Sequence, residues 1–414
     1  MNFSFPQKAG LLLACLALFC LQARAESAQG AFQTGQYRNV FVEQGLASQA
    51  EVDKKIQSTY QQLFYSDERE EGGESIFFPV GENMGFIKDI GSNDIRSEGM
   101  SYGMMIAVQM NDKPMFDKLW RFADTHMRHK EGWYAGYFAW HLSAEPPFRY
   151  IDANPAPDGE EYFAMALYFA HQRWGSGQDV LNYKAQADKI LADMVDKPES
   201  ATDVAMFSQE KRQILFVTQK ATGLFTDPSY HLPAFYELFA RWSATHKELW
   251  AKAAVESRLY FHKAAHPETG LFAEYADFDG RPKETSFNGN SHHSAYDAFR
   301  VIGNIAMDYA WFRQDEGQKA LIERQLNFMA KELAAKNKNV SVHAVSGEAL
   351  SQWGSAGQTA MLATGALASD SEAARTYVKR LWNQPTPEGK WRYYDGLLHL
   401  FSLLHLSGQY RIIQ

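Results

Sequence analysis

Hydrophobic residues recur at three- and four-residue spacing through most of the chain. This spacing places the apolar side chains on one face of a helix. It predicts twelve helices, over residues 47–65, 98–110, 115–128, 160–173, 181–195, 231–245, 247–264, 294–313, 317–335, 358–368, 371–382 and 394–406. Gly, Pro, Asn and Asp cluster between them, as in "NPAPDG" and "NGNSHH", and indicate short connections. No long stretch alternates with period two, so we expect only short strands.

Twelve helices joined by short connections predict one all-α domain. Six helical hairpins closed into a ring is the natural architecture for that number of helices. Three of the predicted helices contain segments that are apolar on nearly every side, "MSYGMMIAVQM", "YFAMALYFA" and "AFRVIGNIAM". This pattern is typical of inner helices that are covered by outer ones.

The first residues have the pattern of an export signal. Lys8 precedes a short apolar run, and the segment ends in the small-x-small sequence Ala23-Arg24-Ala25. The apolar run is too short to span a bilayer comfortably. We therefore expect a signal peptide over 1–25 and a catalytic domain over 26–414. This predicts a periplasmic or secreted protein with no membrane attachment after cleavage.

Composition narrows the function further. Both cysteines, Cys15 and Cys20, lie in the leader, so the mature chain has no disulfide and no cysteine-based zinc site. The net charge is −8, and no cluster of Lys and Arg suggests nucleic-acid binding. The chain has 10 Trp and 20 Tyr, which suits a groove that stacks against sugar rings.

Three acids stand at the starts of three predicted inner helices: Glu98, Asp158 and Asp297. Asp158 with Glu161, and Ser294 with Asp297, have the spacing of a capping box. Each acid alone therefore fits a helix cap or a partner of the helix dipole. In a ring of hairpins, however, the inner helices run parallel and begin at one rim. The three acids would converge there.

Converging carboxylates suit the hydrolysis of a glycosidic bond, in which one acid is protonated and another is ionised. Glu98 begins an apolar helix with only Arg96 as a nearby cation, so burial and neighbouring negative charge are expected to raise its pKa. Arg300 lies one turn from Asp297 and favours its ionised form. Nearby glycines are expected to leave room for a ligand: Gly99, Gly103 and Gly159.

Longer blocks of sequence carry a resemblance. "SEGMSYGMMIAVQM", "APDGEEYFAMALYFAHQRWG", "DPSYHLPAFYELFARW", "HPETGLFAEYADFDG" and "RYYDGLLHLFSLLHLSG" resemble glycoside hydrolase family 8. The resemblance extends from about Gly35 to Ile412 and is closest to the reducing-end xylose-releasing exo-oligoxylanases. It implies an (α/α)6 barrel, an inverting mechanism and no metal or organic cofactor.

The resemblance also implies roles for the three acids. Glu98 matches the general acid, Asp297 the general base, and Asp158 the acid that orients the sugar at the cleavage point. The implied substrates are short β-1,4-xylo-oligosaccharides that lose xylose from the reducing end. We expect the enzyme to act as a monomer.

Further candidates for substrate binding are Trp133, Trp140, Arg300 and Tyr394. The two tryptophans lie in "GWYAGYFAW", which fits a sugar-stacking strip or an aromatic loop packed on the core. Arg300 fits either a partner of Asp297 or an ordinary ion pair. The "RYYDG" tyrosines, Tyr393 and Tyr394, fit substrate contact or simple packing, and Asp395 fits a helix cap.

One departure from the family leaves alternatives open. The exo-acting relatives carry Leu-His-Pro in a loop that closes the groove, whereas this chain has "SQWGSAG" at 351–357. Trp353 would either block the groove or form a platform. One alternative is an endo-acting family 8 enzyme on xylan, cellulose, mixed-linkage glucan or chitosan. Another is a non-catalytic oligosaccharide-binding protein, against which the presence of all three acids argues.

Overall fold

The computed structural model describes residues 29–67 and 73–414. The expected leader over 1–25 lies outside the described residues. All twelve predicted helices are present: α1 Gln49–Tyr65, α2 Ser97–Gln109, α3 Lys113–Phe122, α4 Pro157–Trp174, α5 Tyr183–Asp196, α6 Pro233–Trp242, α7 Lys247–Ala264, α8 Val301–Trp311, α9 Gly317–Lys336, α10 Ala356–Thr364, α11 Glu372–Asn383 and α12 Tyr394–Leu406. Two four-residue helices, Ala31–Thr34 and Val40–Glu43, precede α1.

The helices form two concentric rings. The even-numbered helices α2 to α12 contact one another in order, and α12 contacts α2, which closes the inner ring. Each later odd-numbered helix packs on the inner helix before it, and α1 packs on α12. The predicted all-α (α/α)6 barrel is therefore confirmed.

Burial explains why the sequence divides into inner and outer helices. In α2, every residue except Glu98 is buried, as expected for a helix covered on all sides. The outer helix α11 instead buries a single stripe that includes Ala374, Tyr377, Val378 and Leu381.

Within the described residues, no helix is both long and apolar enough to cross a membrane.

Short antiparallel strands lie in the connections, as expected. The structure pairs β1 Phe77–Val80 with β2 Met84–Ile87, joins β3 Asp94–Arg96, β4 His141–Ser143 and β5 Tyr150–Asp152 into one sheet, and pairs β6 Phe207–Ser208 with β7 Gln213–Ile214 and β8 His293–Ser294 with β9 His343–Ala344. Strand β3 leads directly into α2, with Arg96 opposite His141. Strand β8 leads through a 3₁₀ turn, Tyr296–Arg300, into α8.

The two predicted capping boxes are wrong. Helix α4 has Ala156 at its N-cap with no side-chain cap, and Glu161 is buried and accepts a hydrogen bond from the Tyr236 hydroxyl. Ser294 lies in β8, and Asp297 lies in the 3₁₀ turn before α8. Asp158 and Glu161 instead bind Arg300 and Tyr236, which lie far from them in the sequence.

The prediction that the glycines leave room for a ligand is also wrong. A Cβ atom on Gly99 would lie 2.4 Å from the ring of Tyr393, and one on Gly159 would lie 2.8 Å from the Ser97 side chain. At Gly103 the nearest atom, 2.8 Å away, belongs to Ile87. These glycines let neighbouring elements pack closely, and protein side chains fill the space.

Asp395 does act as a cap, but for a neighbouring helix. Its Oδ1 accepts hydrogen bonds from Ser355 Oγ at 2.6 Å and from the backbone N–H of Gly357 at 2.9 Å. Both residues lie at the start of α10. Asp395 therefore ties the starts of α10 and α12 together on one rim.

Candidate active site

The three predicted acids meet at the guanidinium of Arg300, which is only 4% exposed. Nη1 donates hydrogen bonds to Glu98 Oε2 at 3.1 Å and to Asp158 Oδ2 at 2.9 Å. Nη2 donates to Asp297 Oδ1 at 2.8 Å. Glu98 and Asp158 are the second residues of α2 and α4, and Asp297 lies just before α8. The predicted convergence at one rim is what the structure contains.

Two neutral groups complete the surroundings of this guanidinium. Nη1 also donates to the Tyr102 hydroxyl at 2.7 Å, and Nη2 donates to Ser229 Oγ at 2.9 Å. Arg300 keeps its positive charge at any physiological pH. With its terminal nitrogens bound to the protein, it holds the three acids in place, and the substrate contact predicted for it stays a prediction.

The geometry limits the separation of Glu98 and Asp297. Their bound oxygens lie 3.1 and 2.8 Å from the two terminal nitrogens of one planar group, so these oxygens are at most about 8 Å apart. Inverting glycosidases hold their two carboxyls roughly 6.5–9.5 Å apart to admit a water molecule. The arrangement is compatible with that spacing.

Glu98 has the environment of a proton donor. Burial, together with the charges of Asp158 and Asp297, raises its pKa to about 7, although Arg300 opposes the shift. The Tyr393 hydroxyl donates a hydrogen bond to Glu98 Oε1 at 3.0 Å. The Glu98 side chain is 17% exposed, which leaves access for a ligand. A pKa near 7 keeps a carboxylic acid protonated at mildly acidic pH, as a general acid needs.

The other two acids have different surroundings. Burial raises the pKa of Asp158, although Arg300 opposes the shift. Its Oδ1 also accepts a hydrogen bond from the backbone N–H of Gly159 at 2.9 Å. Asp297 is the most accessible of the three, with 25% of its side chain exposed. An accessible carboxylate bound to a fixed cation can accept a proton from water.

Two further carboxyls near Asp297 were not found from the sequence. Glu274 Oε1 accepts a hydrogen bond from the backbone N–H of Asp297 at 3.4 Å, and Asn288 Nδ2 donates to Glu274 Oε2 at 2.8 Å. Burial and the charge of Asp297 raise the pKa of Glu274 to about 7. Asp227 is fully buried, and the same two causes raise its pKa well above the usual value.

The missed residues had a weak signal in the sequence. Asp227 and Ser229 lie shortly before α6, which is the fourth inner helix whose start contributes to the site. Glu98 and Asp158 lie in the same way at the starts of α2 and α4. Extending the search for polar residues to every inner-helix start would have found them. Glu274 lies in a loop, and no local pattern connects it with Asp297.

The remaining candidates divide by their contacts. The Tyr394 hydroxyl donates to the backbone carbonyl of Tyr296 at 2.8 Å, beside Asp297. The Trp140 carbonyl accepts from the backbone N–H of Ser97 at 2.9 Å, and its ring stacks on His141. Both therefore lie beside the acids, and their sugar contacts stay predictions.

The "GWYAGYFAW" segment is at least partly a packed loop. Trp133 is half-buried, with Nε1 donating to the Pro198 carbonyl at 2.9 Å. Its ring packs against Tyr134 and against Tyr137, which is fully buried. The sugar contact of Trp133 stays a prediction. No group of three His, Cys, Asp or Glu side chains in the described ranges is arranged to hold a metal ion.

Residues 83–408 of the chain, which include this site, match the family model for Glycosyl hydrolases family 8. The chain belongs to that family. Among its relatives is the reducing-end xylose-releasing exo-oligoxylanase Rex8A of Paenibacillus barcinonensis, 42% identical over 93% of this chain and 98% of that protein. A reducing end xylose-releasing exo-oligoxylanase of Halalkalibacterium halodurans is 40% identical, over 94% of this chain and 97% of that protein.

Solved structures of family 8 agree with the fold. Rex8A complexed with xylose superposes with a TM-score of 0.87 at 42% identity, covering 93% of this chain and 100% of that chain. A family 8 xylobiose complex from Teredinibacter turnerae gives 0.87 at 40% identity, covering 92% and 99%. The chain is thus a glycoside hydrolase with the (α/α)6 barrel of its family.

Proposed function

We propose that this protein is an inverting hydrolase of short β-1,4-xylo-oligosaccharides that releases xylose from the reducing end. The observation that carries the chemistry is the binding of Glu98, Asp158 and Asp297 to one buried guanidinium. Relatives at 40–42% identity over nearly the whole chain are named for this activity, which supports the substrate class.

The reaction needs two proton transfers on opposite sides of one linkage. Protonated Glu98 gives its proton to the glycosidic oxygen as the bond to the anomeric carbon breaks. A water molecule attacks that carbon from the other face, and Asp297 takes a proton from the water. The attack inverts the anomeric centre. Solvent then returns a proton to Glu98 and removes one from Asp297.

Asp158 and Arg300 prepare the site for these steps. Asp158 is nearly buried beside Glu98, and in the proposal it holds the sugar at the cleavage point. Arg300 offsets the negative charge of the carboxylates that surround it. Arg300 lowers the pKa of Glu98 and of Asp158, which partly offsets the rise that burial causes.

Xylotriose and its reduced alditol together test the mode of attack. We expect rapid conversion of xylotriose to xylobiose and xylose, with little cleavage of the alditol or of polymeric xylan, measured by chromatography of the products. Glu98→Gln and Asp297→Asn are each expected to lower kcat by at least about 10²-fold. Equal rates on the trimer and its alditol would contradict the reducing-end assignment, and full activity of Glu98→Gln would contradict the acid assignment.

An endo-acting xylanase is the second candidate. A solved relative from Teredinibacter turnerae, 40% identical to this chain, is described as a xylanase in complex with xylohexaose. This chain also has "SQWGSAG" where exo-acting relatives are expected to carry their closing loop. Rapid loss of viscosity in a xylan solution, with products of mixed length, would favour this candidate over the first.

The proposal includes export and a monomeric state. The charged start, apolar run and small-x-small site of residues 1–25 support secretion to the periplasm or beyond the cell. Expression of the full chain should yield a mature protein that begins at Glu26, as N-terminal sequencing would detect. Light scattering coupled to size-exclusion chromatography should give the mass of one chain.

A further inference from the structure

A pair of stacked, exposed aromatic rings lies beside the base. Trp353 and Tyr296 have ring centroids 5.7 Å apart with planes inclined by 27°, and each is 44% exposed. Tyr296 immediately precedes Asp297. Large aromatic side chains are usually covered in a monomer, and flat exposed rings present a surface that suits the C–H face of a pyranose.

The pair is fixed by backbone hydrogen bonds on both members. The Tyr394 hydroxyl donates to the Tyr296 carbonyl at 2.8 Å, and the backbone N–H of Ser341 donates to the Trp353 carbonyl at 2.9 Å. Two residues after Trp353, Ser355 is tied to Asp395 at 2.6 Å. The indole is therefore held in a defined place on the rim, which limits the entropy lost when a sugar stacks on it.

The ring order of the inner helices assigns a side of the groove to this pair. Between α2, which carries Glu98, and α8, which follows Asp297, two arcs of the barrel remain. One arc contains α4, which carries Asp158, and α6. The other contains α10 and α12, and Trp353 lies just before α10. If Asp158 holds the sugar whose anomeric carbon is attacked, the departing sugar lies in the arc of Trp353.

We propose that Trp353 is the stacking platform for the departing xylose unit. This inference rests on the proposed function, because it takes Asp158 to mark the side of the attacked sugar. Trp353 acts on binding of the leaving group and takes no part in proton transfer. The sequence left open whether Trp353 blocks the groove or forms a platform, and the proposal is that it forms a platform.

Two substrates separate this role from a general effect on the site. Xylotriose has a xylose leaving group, whereas β-xylobiosyl fluoride offers the same attacked unit with fluoride in its place. Trp353→Ala is expected to lower kcat/KM on xylotriose about tenfold, mainly through KM, and to leave the rate on the fluoride within about twofold. Trp353→Phe keeps a ring and should recover most of the loss. Leu259→Ala, which trims an exposed apolar side chain on the outer helix α7, is the matched control and should change neither rate.

The outcomes decide both ideas separately. Equal losses on the two substrates would show that Trp353 supports the site as a whole, and an unchanged rate on xylotriose would show that it touches no sugar. Either result overturns the platform. If the wild-type enzyme hydrolyses neither substrate, the proposed function fails first. Activity on the fluoride also reports that Trp353→Ala has folded.

Discussion

Tyr393→Phe isolates the control of the proton donor. Its hydroxyl donates to Glu98 Oε1 at 3.0 Å, while its ring packs over Gly99. The substitution removes the hydrogen bond and keeps the ring. A hydroxyl that donates to a carboxylate stabilises the ionised form, so its loss should raise the pKa of Glu98 above about 7.

The size of the shift follows from the strength of the bond. Hydrogen bonds to charged groups contribute about 1.5–3 kcal/mol and those between neutral groups about 0.5–1.5 kcal/mol. The Tyr393 hydrogen bond therefore stabilises ionised Glu98 by about 1 kcal/mol more than it stabilises protonated Glu98. At 1.36 kcal/mol per pH unit, this corresponds to a rise of roughly 0.5–1 unit.

The alkaline limb of kcat/KM on xylotriose measures this shift, because it reports the acid in the free enzyme. The wild-type limb should lie near pH 7, and the limb of Tyr393→Phe should move upward. Tyr394→Phe is the control, since its hydroxyl donates to the Tyr296 carbonyl. A limb that stays in place or moves to lower pH in Tyr393→Phe would refute the reasoning.

Three further predictions follow from the structure. Glu98→Gln should unfold at a higher temperature than the wild type at pH 8 and at the same temperature at pH 4. Between pH 4.5 and about 7 the unfolded chain loses the Glu98 proton while the folded chain keeps it, so the free energy of unfolding of the wild type falls by up to about 3 kcal/mol as pH rises. A lower melting temperature of the variant at pH 8 in calorimetry would contradict this. Glu274→Gln should leave the acid limb of the pH profile unchanged, because a carboxyl with a pKa of about 7 is already neutral there; a displaced limb would show that Glu274 is ionised at low pH. Asp395→Ala should lower the free energy of urea unfolding by about 1–2 kcal/mol through the lost cap of α10, and an unchanged midpoint would remove that role.

The helices and the main acids were predictable from the sequence because both depend on local pattern. Periodicity located every barrel helix, since an inner or outer helix must bury a continuous face wherever it lies in the chain. Glu98 and Asp158 were found because the starts of parallel inner helices share one rim. The capping boxes failed for the converse reason: the spacing of Asp158 and Glu161 is local, but their partners, Arg300 and Tyr236, are distant in sequence.

The remaining parts of the site depend on contacts that no local pattern records. Glu274 supports Asp297 from a loop 23 residues earlier, through a backbone hydrogen bond. Gly99 and Gly159 look like space for a ligand in the sequence, but Tyr393 and Ser97 occupy it. The stacking of Trp353 on Tyr296 joins two loops before different helices and requires the fold to be known.

The anomeric form of the first product tests the central claim most directly. Proton NMR during the first turnovers on xylotriose distinguishes α- from β-xylobiose before mutarotation mixes them. Attack by a water molecule held by Asp297, opposite the proton from Glu98, predicts that α-xylobiose forms first. If β-xylobiose forms first, the anomeric centre is retained, and the roles given to Glu98 and Asp297 are wrong.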